Sequence, residues 1–217
     1  MHVVQMPFPG LSSVNSALGV TMATGSVPTA RDRGRLSPLK LEHAVLRTTA
    51  LAPMVEWYCA VLEAEVTFGN ATIAFLAYDE QNHRLAILAR PGTKARPADT
   101  AGLDHLAFTY ADLGELIATY ERLKAAGIRP LRAMDHGSST SLYYADPDGN
   151  GVELKIDNFS SPAEQHAWMH SAEFTANPLG SPLDPEKLAT NFLSRNIAGE
   201  HTSRHRNQPS ASEVEDR

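Results

Sequence analysis

Apolar and polar residues alternate along Leu41-Glu-His-Ala-Val-Leu-Arg-Thr48, and the same alternation returns at Leu103-Asp-His-Leu-Ala-Phe-Thr-Tyr110. Period-two patterning predicts a strand in each place. A helical pattern follows each one: Met54–Leu62 after the first, and Leu113–Ala126 after the second, with Gly127 placed to end the helix in a left-handed conformation. Short strand patterns come next. The first half has Glu65–Phe68, Thr72–Ala77 and Arg84–Ala89; the second has Arg129–Arg132, Ser139–Tyr144 and Val152–Ile156. Both halves read βαβββ, which makes an internal repeat of roughly 60 residues. The predicted fold class is α+β, built from paired βαβββ modules at about 39–92 and 101–158.

The rest of the chain is organised around this core of 39–158. Residues 1–38 lack periodicity and are read as an N-terminal extension. Residues 159–196 are read as a C-terminal helical extension. It holds Pro162–His170 and Pro185–Ser194, the latter with Asp184 as N-cap and Pro185 in the first turn. Residues 197–217 have the composition of a disordered tail. Asp146-Pro-Asp-Gly-Asn150 is a strong turn signal, since Pro presets φ and Gly or Asn tolerates positive φ.

Composition narrows the classes of function. Net charge is −6 over 217 residues, without a clustered basic patch, which argues against a nucleic-acid partner. No apolar run approaches the roughly 20 residues of a membrane span. The N-terminus lacks the basic start of a secretory signal. Cys59 is the single cysteine, so no internal disulfide can form, and a cytoplasmic location fits. Its place in an apolar helical pattern makes it a small buried hydrophobe. No Gly-rich nucleotide-binding motif and no nucleophile elbow occurs. His166 and His170 stand at i, i+4, but His-Ala-Trp-Met-His lacks the Glu of a zinc-hydrolase helix, and no metal is expected there.

The chemistry lies in the repeat. His43 and His105 hold equivalent positions, each on a strand face shared with apolar residues (Leu41 and Val45; Leu103 and Ala107), and are expected to point into one interior. Glu153 adds a carboxylate from the closing strand of the second half. A buried carboxylate needs a partner charge, and a divalent metal is one. Two His and one carboxylate with open positions are the facial triad of non-heme iron(II) oxygenases.

With these residues the core resembles the vicinal oxygen chelate superfamily, in which paired βαβββ modules form a barrel-like sheet. Within it the chain is similar to the one-domain extradiol ring-cleaving dioxygenases, the 2,3-dihydroxybiphenyl type among them. Phe174-Thr-Ala-Asn-Pro-Leu-Gly180 also resembles sequences that follow such cores. The resemblance implies that His43, His105 and Glu153 hold Fe(II), with Mn(II) accepted by the same ligand types. It implies a catechol-type substrate cleaved by O₂. It further implies His83 as an acid/base near the oxygen site, Tyr143 as a partner of a substrate hydroxyl, and His136 as a further substrate-side His.

Sister functions divide on ligand count. Glyoxalase I uses four protein ligands. Aligning the turns puts Leu85 opposite Glu153, with Ala86 as the off-by-one choice, and neither binds metal. Three ligands disfavour a glyoxalase but also suit a fosfomycin-type thiol transferase; a non-catalytic small-molecule-binding module is the other alternative. A homodimer or higher homo-oligomer is expected, since such folds expose sheet edges.

Overall fold

Alternation along the first strand separates two environments cleanly. In β1 (Ala44–Thr48) Leu46 and Thr48 are buried while Val45 and Arg47 are exposed. The computed structural model describes residues 29–197 except 31, 96, 98 and 99, so the expectations for 1–28 and for the tail from 198 lie outside the described residues. β1 leads into α1 (Leu51–Leu62), which buries Met54, Tyr58 and Val61 at i, i+4 and i+7, one stripe of the helix. β2 (Glu65–Gly69), β3 (Ile73–Ala77) and β4 (Leu85–Ala89) complete the first module. The second repeats it as β5 (His105–Thr109), α2 (Leu113–Ala125), β6 (Arg132–Asp135), β7 (Ser139–Ala145) and β8 (Gly151–Asp157).

The two sheets have the same strand order. The first runs β1-β4-β3-β2 and the second β5-β8-β7-β6, with β1 parallel to β4 and β5 parallel to β8. A two-residue strand, β9 (Ser181–Pro182), adds antiparallel to β6. The architecture is therefore two open sheets, one of four strands and one of five, rather than a closed barrel. β6 starts three residues later than the pattern predicts. Leu131 lies outside the strand and is exposed, and Ala133 is the buried residue of β6.

Both sheets place one face against the helices, in a single cluster. Leu46, Leu76, Leu85 and Ile87 from the first sheet join Leu142, Tyr144, Val152, Leu154 and Ile156 from the second around Met54, Tyr58, Leu116, Tyr120 and Leu123. Each aliphatic side chain so buried contributes about 1.5–3 kcal/mol over leaving it in water. Polar locks cross between modules. The Tyr58 hydroxyl of α1 donates to Asp146 Oδ2 at 3.0 Å, in the predicted β7–β8 turn. The same carboxylate accepts Asp148 N, Asn150 N and Asn150 Nδ2, so the turn is pinned as well as shaped. α1 ends on Glu63 with φ 51°, and the Arg122 guanidinium of α2 donates to the last carbonyls, Ala60 and Val61. These are orphan acceptors at a helix end, so the second module caps the first.

α2 is capped as its sequence suggests. Asp112 accepts from Glu115 N at 3.0 Å, Glu115 reaches back to Ala111 N at 2.9 Å, and Gly127 (φ 78°) closes the far end. The C-terminal extension folds as α3 (Pro162–Met169), α4 (Ala172–Ala176) and α5 (Pro185–Ile197), and Asp184 caps α5 through Glu186 N at 2.9 Å.

Candidate active site

Strand parity puts the chemistry on the side of each sheet away from the helices. This corrects one expectation. His43 and His105 do not share the interior with the apolar core, because Leu41, Val45 and Leu103 are 81%, 53% and 56% exposed. Leu46 and Ile87 pack on the helices instead, and the histidines belong to the opposite face. Pairing register corrects a second. Ala107 pairs with Glu153, and Val45, its repeat equivalent, pairs with Ala86. Ala86 is therefore the first-module counterpart of Glu153, while Leu85 is a core residue at 2% exposure. The β3–β4 turn differs in length from the β7–β8 turn, so aligning the turns shifted the parity by one. The absence of a fourth donor at that place stands.

On the second sheet one row crosses three adjoining strands. Glu153 of β8 pairs with Tyr143 of β7, and Tyr143 pairs with Arg132 of β6. Glu153 is only 6% exposed, so its charge depends on partners. Its Oε1 accepts from the Tyr143 hydroxyl at 2.9 Å, and its Oε2 lies 2.9 Å from His105 Nε2. The Tyr143 oxygen also lies 2.8 Å from His136 Nε2. A phenol has one proton, and the carboxylate takes it as a hydrogen bond. His136 Nε2–H is therefore the donor to Tyr143, which fixes the His136 tautomer. Burial, then the hydrogen bond and charge of Glu153, push the Tyr143 hydroxyl up to about 12. It is a firm phenol at neutral pH. The Arg132 guanidinium stands 4.2 Å from the centre of its ring, a cation–π contact.

His136 sits in a tight turn between β6 and β7, closed by His136 N donating to Ser139 O at 2.9 Å. Gly137 follows with φ 74°, and Trp168 of α3 lies directly on it: a Cβ there would stand 2.2 Å from the indole. Gly180, also at φ 74°, presses on the other side, where a Cβ would stand 2.1 Å from Asp135 O. The C-terminal extension thus clamps the turn that carries His136.

The first sheet holds a smaller group. The His43 and His83 rings are 4.6 Å apart, and His83 stacks on Phe75 at 4.6 Å and 17°. Phe75 pairs with Ala86, so the stack lies on the face away from the core. His83 reaches that face from the turn before β4, not by sharing the face of Leu85. A cavity of about 310 Å³ at the seam is lined by His43, Tyr78 and Arg84 from the first module and Leu106, Ala107 and Phe108 from β5. His43 thus stands on the seam beside the strand that carries His105.

The structure joins His105, Glu153, Tyr143 and His136 in one chain and puts His43 with His83. Among the described residues, no three His, Cys, Asp or Glu stand close enough together to hold a metal ion. One pair of these donors nonetheless has the spacing of two ligands on one ion. Two ligands at about 2.1 Å and at right angles stand roughly 3.0 Å apart, close to the 2.9 Å between His105 Nε2 and Glu153 Oε2. His43 contributes an exposed imidazole at the seam. Sequence reasoning missed three neighbours. Asp104 Oδ2 lies 2.6 Å from His105 Nδ1 and orients that ring, and it was legible as the acidic residue of the repeated Leu-acid-His. Arg132 and Phe75 had no local signal, since each is brought in by strand pairing.

Residues 40–154 match the glyoxalase/bleomycin resistance protein/dioxygenase superfamily. A biphenyl-2,3-diol 1,2-dioxygenase from Rhodococcus globerulus is 46% identical over 147 residues, covering 67% of this chain and 77% of the relative. A second from the same organism is 43% identical over 167 residues, covering 76% and 88%. A solved glyoxylase/bleomycin resistance protein/dioxygenase domain from Frankia superposes with a TM-score of 0.49 at 21% identity, over 60% of this chain and all of that one.

Proposed function

Because this chain belongs to the glyoxalase/bleomycin resistance protein/dioxygenase superfamily, we propose that it is an iron(II)-dependent extradiol dioxygenase, opening the ring of a catechol-type diol with O₂. The observation that carries this is the continuous chain from His105 through Glu153 and Tyr143 to His136. It puts a buried carboxylate–imidazole pair at ligand spacing beside a phenol and an imidazole able to handle a substrate hydroxyl. The names of the two Rhodococcus relatives support the reaction class.

His43, His105 and Glu153 would hold the metal. When bound, Fe(II) supplies a Lewis-acid centre for the diol and the redox capacity that O₂ chemistry requires. The protein's own groups do the rest. Tyr143 presents a protonated hydroxyl whose oxygen both donates and accepts, so it can align one hydroxyl of the diol. His136 Nε2 holds a proton next to that oxygen and can exchange it with the substrate. His83, stacked on Phe75, stands beside His43 and would serve as an acid or base there. Ala86, the first-module counterpart of Glu153, offers no metal donor, which argues against a four-ligand isomerase. Cytoplasmic location and a homodimeric state belong to the same reading.

Anaerobic loading with Fe(II), followed by 2,3-dihydroxybiphenyl or catechol and O₂, tests it. Oxygen uptake with a yellow ring-opened product is expected. A fully iron-loaded protein that consumes no O₂ with either diol would overturn it.

A further inference from the structure

The end of α3 carries a second pair of imidazoles, apart from the site above. The rings of His166 and His170 have centroids 4.3 Å apart and planes tilted by 31°. His170 Nδ1 lies 2.8 Å from the His166 carbonyl oxygen. A carbonyl only accepts, so Nδ1 carries the proton and Nε2 keeps its lone pair. Metal-binding histidines are oriented in this way, one ring nitrogen donating to a carbonyl while the other faces the ion. The two residues stand four apart at the end of α3, so their rings lie together on one face.

We propose that His166 and His170 form a second, surface site for a borderline divalent cation of the Zn(II), Ni(II) or Cu(II) type. Nitrogen donors favour these ions over Mg(II) or Ca(II), which take oxygen. Among the described residues no third His, Cys, Asp or Glu completes a three-residue group, so water fills the remaining positions. The lack of a Glu between the two histidines excludes a hydrolytic zinc helix, but a two-imidazole chelate needs no such Glu. Its place on α3 follows from packing. Trp168, between the two histidines in sequence, turns onto Gly137 and leaves His170 exposed at the helix end.

Calorimetric titration of the full chain with ZnCl₂ and with NiSO₄ tests this, comparing wild type with His166→Ala, His170→Ala and the double variant. Circular dichroism confirms that each is folded. Wild type should bind one equivalent more than the double variant. Each single variant should lose at least about tenfold in affinity for that equivalent, and the double should be no worse than either single, because chelation requires both rings. Equal stoichiometry in wild type and double variant would overturn the site. So would single-variant losses that merely add.

Discussion

At the scale of the residue, the carboxylate of Glu153 bears most of the account. It is buried, and both oxygens have a partner, His105 on one and Tyr143 on the other. Glu153→Gln keeps the size but puts an amide where an anion is needed. It is expected to cut Fe(II) affinity by tenfold or more with little change in fold, measured as iron per chain after gel filtration. Tyr143→Phe removes one hydroxyl and leaves His136 Nε2 without its acceptor. It should retain iron, while ring cleavage falls by about 10²-fold, the lower range for loss of a positioned proton-handling group; steady-state O₂ uptake reads this directly. His105 stood out in the sequence from the repeat and Glu153 as a carboxylate in an apolar strand, while Tyr143 came only from the resemblance to the ring-cleaving dioxygenases. The tautomer of His136 was not legible, since it follows from who donates to a single phenol oxygen, and that is decided by two strands and a turn meeting.

At the scale of the element, parity and capping decide the outcome. The repeat could be anticipated, as two Leu-acid-His strands are each followed by a helical pattern and three strand patterns. The face on which the histidines lie could not. Leu41, Val45 and Leu103 look like a core stripe in sequence, and only the packing of Leu46 and Ile87 on the helices shows that the core is on the other side. The register likewise moves the empty corner from Leu85 to Ala86. These two positions now make opposite predictions. Leu85→Ala should cost about 2–5 kcal/mol of stability, as a large-to-small change in a packed core, measured by urea unfolding. Ala86→Glu should leave iron bound but suppress ring cleavage, because a fourth donor would fill a corner that a reactant needs. The clamp from the C-terminal extension was invisible in sequence, since Gly180 and Trp168 reach His136 only through folding. Gly180→Ala meets Asp135 O and a positive φ together. It should destabilise the protein by about 1–3 kcal/mol and raise the KM for the diol.

At the scale of the whole molecule, two modules act as one because the contacts between them are specific. Tyr58 on Asp146 and Arg122 on the end of α1 fix one module against the other. Buried tyrosines also contribute stability that depends on alkaline pH. Burial pushes Tyr143 and Tyr120 each up to about 12, against about 10 in an unfolded chain. As pH rises the unfolded chain loses these protons first. The stability they contribute is fully present below about pH 10 and is lost between about pH 10 and 12. Denaturation midpoints measured across that window should fall steeply, and less so in Tyr143→Phe.

In the proposed enzyme a ligand from each module would meet on one iron. Measuring the iron content and Fe(II) dissociation constant of His43→Ala beside wild type, under anaerobic loading, tests it most directly. About one tightly held iron per wild-type chain is expected, with near-complete loss in the variant, although its fold and the His105–Glu153 pair remain. A His43→Ala protein that holds its iron as tightly as wild type would contradict it.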